Sequence, residues 1–313
     1  MKFTIAYMTA RRDPKIEWFL QSLARQCSDV TQKIIIVDFY ADEPGRRERF
    51  AKLNTGGFQI KHVTPKPSLV QGKHRITQDN WFDAGSSRNT AVCLCEDDRI
   101  AFVDDLTVLA PDWFTSAQEA TERAGYTFGS YRKVTNLRVK EGLIEGFSDH
   151  PHGHDVRRGQ VKKLDRAAPC RPEWLFGCSL VAPMESLLQA GGWPENLCST
   201  LGYEDGCFAS VVRNRKEPTS FDPRLFTYES EEGHHVPGDR FYRIDPCKCD
   251  PCTSPRQDKS HAMLKAVETA TVLDNGYDIR ALRQHVLGGG EFPVPTGPTH
   301  EWFTGVALED LKG

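Results

Sequence analysis

The sequence predicts an α/β protein built on a mostly parallel central sheet with helices on both faces, extended at its C-terminus by further helices. Three observations carry that prediction. Short β-branched apolar runs alternate with amphipathic helical segments over the first 124 residues. The connections between them are short. Three of the runs end directly on polar or acidic residues, at Thr9, Asp38 and Asp104, and strands of such sheets bind ligands beyond their carboxyl ends.

The elements follow in order. Residues 3–8 form an apolar run suited to a buried strand. Asp13 is placed to cap a helix with Pro14 at its first position, and Ile16, Phe19, Leu20 and Leu23 form one apolar face. Lys33–Asp38 (KIIIVD) is β-branched throughout, as a parallel strand buried on both faces would be. Residues 58–63 make a weaker third strand. Ala84–Leu94 reads as a helix with small residues along one side, and residues 100–104 as a strand that runs into Asp104–Asp105. Residues 111–124 form another helix. Residues 131–140 suit one arm of a hairpin, and the polar, basic stretch 150–171 suits a long excursion over the ligand-binding face. Then come a strand at 175–182, a helix at 184–190 stopped by Gly191–Gly192, and the helix Glu204–Asn214 with two acids in its first turn. Two more helices are expected near 258–273 and 277–287. The expected division is residues 1–245 as one domain, with halves at about 1–110 and 111–245, and 246–313 as an appended segment.

A chain of 313 residues with 40 Lys and Arg against 43 Asp and Glu carries a formal charge of −3, which gives no overall attraction to nucleic acid or anionic membrane. No stretch approaches the ~20 apolar residues of a membrane span, and the short apolar N-terminus breaks at Thr9 before Arg11 and Arg12. The expected location is the cytoplasm, without membrane insertion. Most of the ten cysteines should then be reduced apolar fillers.

Several residues suit chemistry at the strand-end edge. Asp104 and Asp105 could hold Mg²⁺ or Mn²⁺, or simply cap a turn. Glu204 and Asp205 could supply a general base, or merely complement a helix dipole. Arg11 and Arg88 suit phosphate or carboxylate partners. His234 and His235 could complete a divalent metal site. Cys247, Cys249 and Cys252, spaced C-x-C-x2-C, could wrap a structural Zn²⁺ with His261 as a fourth ligand, or be unligated loop thiols.

Taken together and in order, these segments resemble the GT-A glycosyltransferases, most closely the broad family 2. IAYMTARRDP resembles the family's Thr-containing turn after the first strand, and IIIVDFYAD its second strand, ending in an acid that reads the nucleotide base, here Asp38. AGSSRNTAV resembles its Arg-Asn helix, with Arg88 and Asn89 in register. IAFVDDLTVLAPDWF resembles the metal strand, and FGCSLVAPMESLLQAGGWPENL followed by LGYEDGCFASVVRNR the acceptor half. The resemblance spans roughly residues 3–215 and implies a Rossmann-like GT-A fold. It further implies a nucleoside-diphosphate sugar donor, UDP-sugar favoured, held by Thr9, Arg11, Asp38, Arg88 and Asp104. A divalent metal at Asp104, Asp105, His234 or His235 and direct displacement with inversion follow from the same likeness, with Asp205 as base and Glu204 positioning the acceptor. The family's second metal acid is replaced here by Leu106.

The acceptor is less legible. Between Tyr131 and Arg171 ten Lys and Arg stand against five Asp and Glu. A glycan acceptor and DNA with a hydroxymethylated base both suit, the latter with Trp174 or Phe176 stacked on an exposed base. Outside glycosyl transfer, a catalytically silent GT-A-like module and a nucleotidyltransferase are the alternatives.

Overall fold

The computed structural model describes residues 2–67, 83–161, 165–195, 204–232, 264–265 and 267–293. Its centre is one mixed sheet of ten strands among the described residues. The opening half is parallel. β1 (Thr4–Thr9) lies between β2 (Lys33–Asp38) and β4 (Arg99–Asp104), with β3 (Gln59–Val63) outside β2. β1, β2 and β4 are apolar runs because both their faces are covered, while β3 at the edge is only partly buried. Along β1, Ala6 and Met8 join one core with Val37 and Phe102, while Ile5 and Tyr7 join the other with Ile36 and Val103.

The first core is closed by α3 (Ala84–Leu94), α5 (Met184–Gln189) and α6 (Glu204–Asn214), the second by α1 (Ile16–Ala24), α2 (Arg46–Leu53) and α4 (Trp113–Thr121). α3 is buried on all sides from Gly85 to Leu94. Its small residues let it fit between the sheet and α7 (Ile279–Leu287). Asp83 caps it by accepting a hydrogen bond from the Ser86 amide at 3.0 Å.

The second half of the sheet is mixed. β9 (Ser179–Pro183) runs antiparallel to β4 and to β6 (Tyr126–Lys140), and β6 runs parallel to β10 (Thr219–Ser230). β5 (Thr107–Leu109) and the short β8 (Ala168–Pro169) flank β10, and β7 (Leu143–His154) folds back on β6 as the expected hairpin.

Several sequence expectations shift. Asp13 does not cap α1. Lys15 stands at the N-cap position instead, left-handed at φ 53° and without a side-chain cap bond, because the Pro14 carbonyl is drawn to the strand ends by Tyr7 Oη at 2.8 Å and the Leu106 amide at 3.2 Å. The strand expected at 175–182 begins only at Ser179, since the Gly177 amide donates to Asp205 at 3.0 Å. The excursion at 150–171 is partly ordered into β7, a 3-10 turn at Val156–Gln160 and β8. Of the helix expected near 258–273, residues 264–265 are helical and 267–269 and 271–272 form turns and bends. There Asn214 Nδ2 donates to the carbonyls of Val267, Glu268 and Ala270 at 3.2, 3.0 and 2.8 Å, removing them from helical use. α2 and β10 carried no clear sequence signal. β10 is interrupted by Asp222-Pro223-Arg224, where its pairing with β6 shifts register.

Candidate active site

The chain leaves β1 toward β2 and β3 on one side and returns on the other side at β4. That reversal opens a crevice at the carboxyl ends of β1 and β4. Thr9 ends one strand there and Asp104 the other. Thr9 Oγ1 donates to Asp105 Oδ2 at 2.7 Å, and Arg11 Nε donates to Asp105 Oδ1 at 3.0 Å. Asp105 is thereby tied to the turn after β1. Leu106 is buried in a left-handed conformation at φ 56°, which turns its side chain into the protein at the position where the resemblance would put a second metal acid.

Arg88 draws both acid pairs together. It projects from α3, is almost fully buried, and stacks its guanidinium over Trp193 at 4.4 Å. Its Nη1 lies 3.3 Å from Asp205 Oδ1 and 3.8 Å from Glu204 Oε1, and its Nη2 lies 3.7 Å from Asp104 Oδ1. Among the described residues Arg88 Nε has no hydrogen-bond partner. A Cβ at position 177 would lie 2.1 Å from Arg88 Nη2, so any side chain there would have to displace the Arg88 guanidinium.

Negative charge exceeds positive here. Asp104, Asp105, Glu204, Asp205 and Glu229 face Arg11, Arg88 and Lys133, and two effects lift Glu204, Glu229 and Asp104. Burial, then the charge of Asp205, pushes Glu204 up to about 7 against the pull of Arg88. Burial, then the charge of Asp104, does the same for Glu229, also to about 7. Asp104 is raised to about 6, again by desolvation first, although its side chain stays 42 % exposed. Accessible water tempers the burial push on Asp104 while leaving its direction.

A raised carboxylate has a definite sign for stability. Between the ordinary glutamate value and about 7, the folded chain binds more protons than the unfolded one, so stability falls as pH rises through that window. Glu204→Gln removes the charge and is expected to stabilise the protein by on the order of 1–2 kcal/mol near pH 8, with little effect near pH 5. Calorimetric melting at the two pH values checks this. An equal effect at both would contradict the assignment.

Asp38, at the end of β2, is fully buried. It accepts from Arg46 Nε at 2.7 Å, Arg46 Nη2 at 3.1 Å and the Tyr40 amide at 2.9 Å, and lies 3.0 Å from His62 Nε2. Burial works against its charge, but these partners hold the carboxyl below its ordinary value. Four ring, guanidinium and amide nitrogens from three residues fill the lone-pair sites of a carboxylate. Arg46 also donates to the Arg11 and Arg12 carbonyls at 2.8 and 2.5 Å, so Asp38 acts through Arg46 on the turn that carries Arg11.

Sequence reasoning missed a second buried network. Glu195 Oε2 pairs with Lys66 Nζ at 2.7 Å, and its Oε1 accepts from Asn89 Nδ2 at 2.7 Å and from Tyr277 Oη. Asn89 further bonds the Trp193 backbone, through Nδ2 to the carbonyl at 2.9 Å and through Oδ1 from the amide at 2.7 Å. Trp193 lies under Arg88, and Asn89 follows it on α3, so the network fixes the helix that carries the arginine. The available signal was GGWPE, where an acid follows a buried aromatic. His62, Arg46 and Glu229 were also missed. His62 and Glu229 stand at a strand position in β3 and β10, with nothing local to distinguish them.

His234, His235, Cys247, Cys249, Cys252 and His261 lie outside the described residues. Among the described residues no three His, Cys, Asp or Glu side chains converge as a ready-made metal centre. Cys27, Cys93, Cys95, Cys170, Cys178 and Cys207 are free thiols. Among the described residues no helix is long and apolar enough to cross a membrane.

This sheet order, with an acid-tipped crevice at its switch point, is the GT-A fold of glycosyltransferases. Two solved proteins illustrate the likeness. S. aureus TarS 1–349 superposes with a TM-score of 0.55 at 13% identity, over 94% of this chain and 93% of that one. The same fragment in complex with UDP-GlcNAc gives 0.52 at 13% identity, over 94% and 93%. The mannosyltransferase PcManGT from Pyrobaculum calidifontis, in complex with GDP-Man and Mn²⁺, gives 0.51 at 14% identity, over 91% of this chain and 69% of that one. No protein-family model and no curated protein sequence matches the chain.

Proposed function

We propose that the chain is a glycosyltransferase that moves a sugar from a nucleoside-diphosphate sugar, UDP-sugar favoured, to an acceptor hydroxyl with inversion. One observation carries the reading: Arg88 gathers Asp104, Glu204 and Asp205 at the switch-point edge of a GT-A sheet. The acceptor oxygen attacks the anomeric carbon from the side opposite the leaving group. Its proton passes to a carboxylate oxygen of Asp205. The bond between the anomeric carbon and the phosphate oxygen breaks, and the nucleoside diphosphate departs with that electron pair.

Within this reading each side chain has a task. Asp205 is aimed by the Gly177 amide and by Arg88, while Glu204, raised to about 7, holds the cluster's proton and orients the acceptor hydroxyl. Thr9, Arg11, Asp38 and Arg88 serve the nucleotide-sugar side, Asp38 by holding Arg46 across the turn after β1.

The surplus of carboxylates suits Mn²⁺ or Mg²⁺ brought in with the donor's pyrophosphate. Asp104 would hold the ion with its exposed side chain, and Asp105, His234 and His235 are the further candidate ligands. Such an ion supplies neutralisation of the leaving diphosphate. A structural Zn²⁺ at Cys247, Cys249, Cys252 and His261 belongs to the same proposal. The free thiols support a reducing, cytoplasmic setting.

Thermal-shift measurements test the donor assignment. UDP or a UDP-sugar is expected to raise the melting temperature, and more so with Mn²⁺ present, because a ligand of the folded state stabilises it in proportion to its occupancy. Indifference to every nucleoside diphosphate would remove the reading.

A further inference from the structure

We infer that Phe176 is a stacking platform for the acceptor, and that the acceptor presents there the apolar face of a neutral sugar ring. The inference rests on the transferase reading above and names the acceptor class for the same site.

Phe176 is an outward-facing aromatic, 39 % exposed, in a molecule whose other phenylalanines at the sheet are mostly buried. It directly precedes Gly177, whose amide donates to Asp205 at 3.0 Å. A ring bound on Phe176 therefore stands beside the residue whose amide holds the proposed base.

The platform is rigid for a stated reason. Arg157 lies over the Phe176 ring at 4.3 Å and is itself buried. Its guanidinium donates to Asp155 through Nε at 2.8 Å and Nη2 at 2.7 Å, to the Gly129 carbonyl at 3.0 Å, and to the Trp174 carbonyl. Tyr131 meets Phe176 edge-on at 5.8 Å between centroids. Trp174, the other aromatic considered for stacking, turns instead against Phe221 at 5.3 Å.

Charge decides between a sugar ring and a nucleobase. Four basic residues of this region are engaged. Arg132 pairs with Asp149 at 2.6 Å, Lys133 with Glu231 at 2.6 Å, and Arg157 with Asp155 at 2.7 Å, while Arg158 Nη1 donates to the Pro223 carbonyl at 2.8 Å. Beyond Gly177 lie the carboxyl groups of Asp205, Glu204 and Asp104 around Arg88. A phosphate backbone would add negative charge to these carboxyl groups and to the donor's diphosphate. A neutral ring adds none, and its axial C–H groups suit the negative face of an aromatic.

The test uses the full chain and a panel of neutral cello-, chito- and malto-oligosaccharides, with a hydroxymethylcytosine duplex as comparator. In saturation-transfer NMR at least one saccharide is expected to receive saturation at its ring C–H protons. Phe176→Ala should weaken that binding about tenfold, the size of a single ~1.4 kcal/mol contact, and Phe176→Trp should restore it. The inference is overturned if Phe176→Ala binds the saccharide as the wild type does, if no saccharide in the panel binds, or if only the duplex binds. Thermal shifts with UDP-sugar on the same samples separate the two failures. A donor response without dependence on Phe176 sinks the platform alone, and no donor response sinks the transferase reading.

Discussion

Asp205→Asn is expected to lower kcat by about 10²–10⁴-fold, the usual contribution of a positioned general base, with a much smaller change in KM for the donor. The isosteric amide still accepts a hydrogen bond from the Gly177 amide, now made to Asp205 Oδ2 at 3.0 Å, so the fold should survive. Removing one negative charge from a cluster in which Asp205 raises both Asp104 and Glu204 relieves repulsion and partly offsets the weakened contact to Arg88. Steady-state kinetics beside a melting curve separates the two effects. Unchanged kcat in a normally folded variant would move the base elsewhere, with Glu204 next in line.

Glu195→Ala carries the largest expected cost in stability, about 3–5 kcal/mol, the range for removing one partner of a buried ion pair. Lys66 Nζ, now 2.7 Å from Glu195 Oε2, would be left charged in the interior. Asn89 and Tyr277 would each lose an acceptor. The damage should reach activity as well, because Asn89 neighbours Arg88 on α3 and braces the Trp193 backbone beneath it. Denaturant unfolding of the variant, and of Glu195→Gln beside it, measures the cost. A loss below 1 kcal/mol would mean that the pair is not closed in solution. Tyr277 joins this network from a segment outside the expected first domain, so the C-terminal region supports the site as well as following it.

The parallel half of the fold was legible because strands buried on both faces must be continuous apolar runs. Residues 3–8, Lys33–Asp38 and residues 100–104 each read as strands, and each ends where the site lies. Glu204–Asn214 was legible through its acidic first turn. What escaped depends on partners far along the chain. Glu195 meets Lys66 across 129 positions and Tyr277 across 82, and no local pattern announces such contacts. β10 hid behind the Asp222-Pro223 interruption. The sequence placed the acid pair Asp104–Asp105 at a strand end, but not the different contacts of its two members. The backbone turn at Leu106 sends Asp105 to Thr9 and Arg11 and leaves Asp104 facing Arg88, and a left-handed leucine is not a choice that residue preference foretells. Asp38 likewise stands where the resemblance put it, yet its carboxylate is occupied by Arg46, Tyr40 and His62.

The central claim is that the Arg88 cluster cleaves the bond between a sugar and a nucleoside diphosphate. Release of nucleoside diphosphate from a panel of UDP-, GDP- and other nucleotide sugars, with Mn²⁺ and a mixture of neutral oligosaccharides present, tests it most directly. The account predicts that at least one donor is turned over by the wild-type chain, faster with acceptor than without, and that Asp205→Asn abolishes the acceptor-dependent part. Turnover of no donor, or turnover that Asp205→Asn leaves intact, would contradict it.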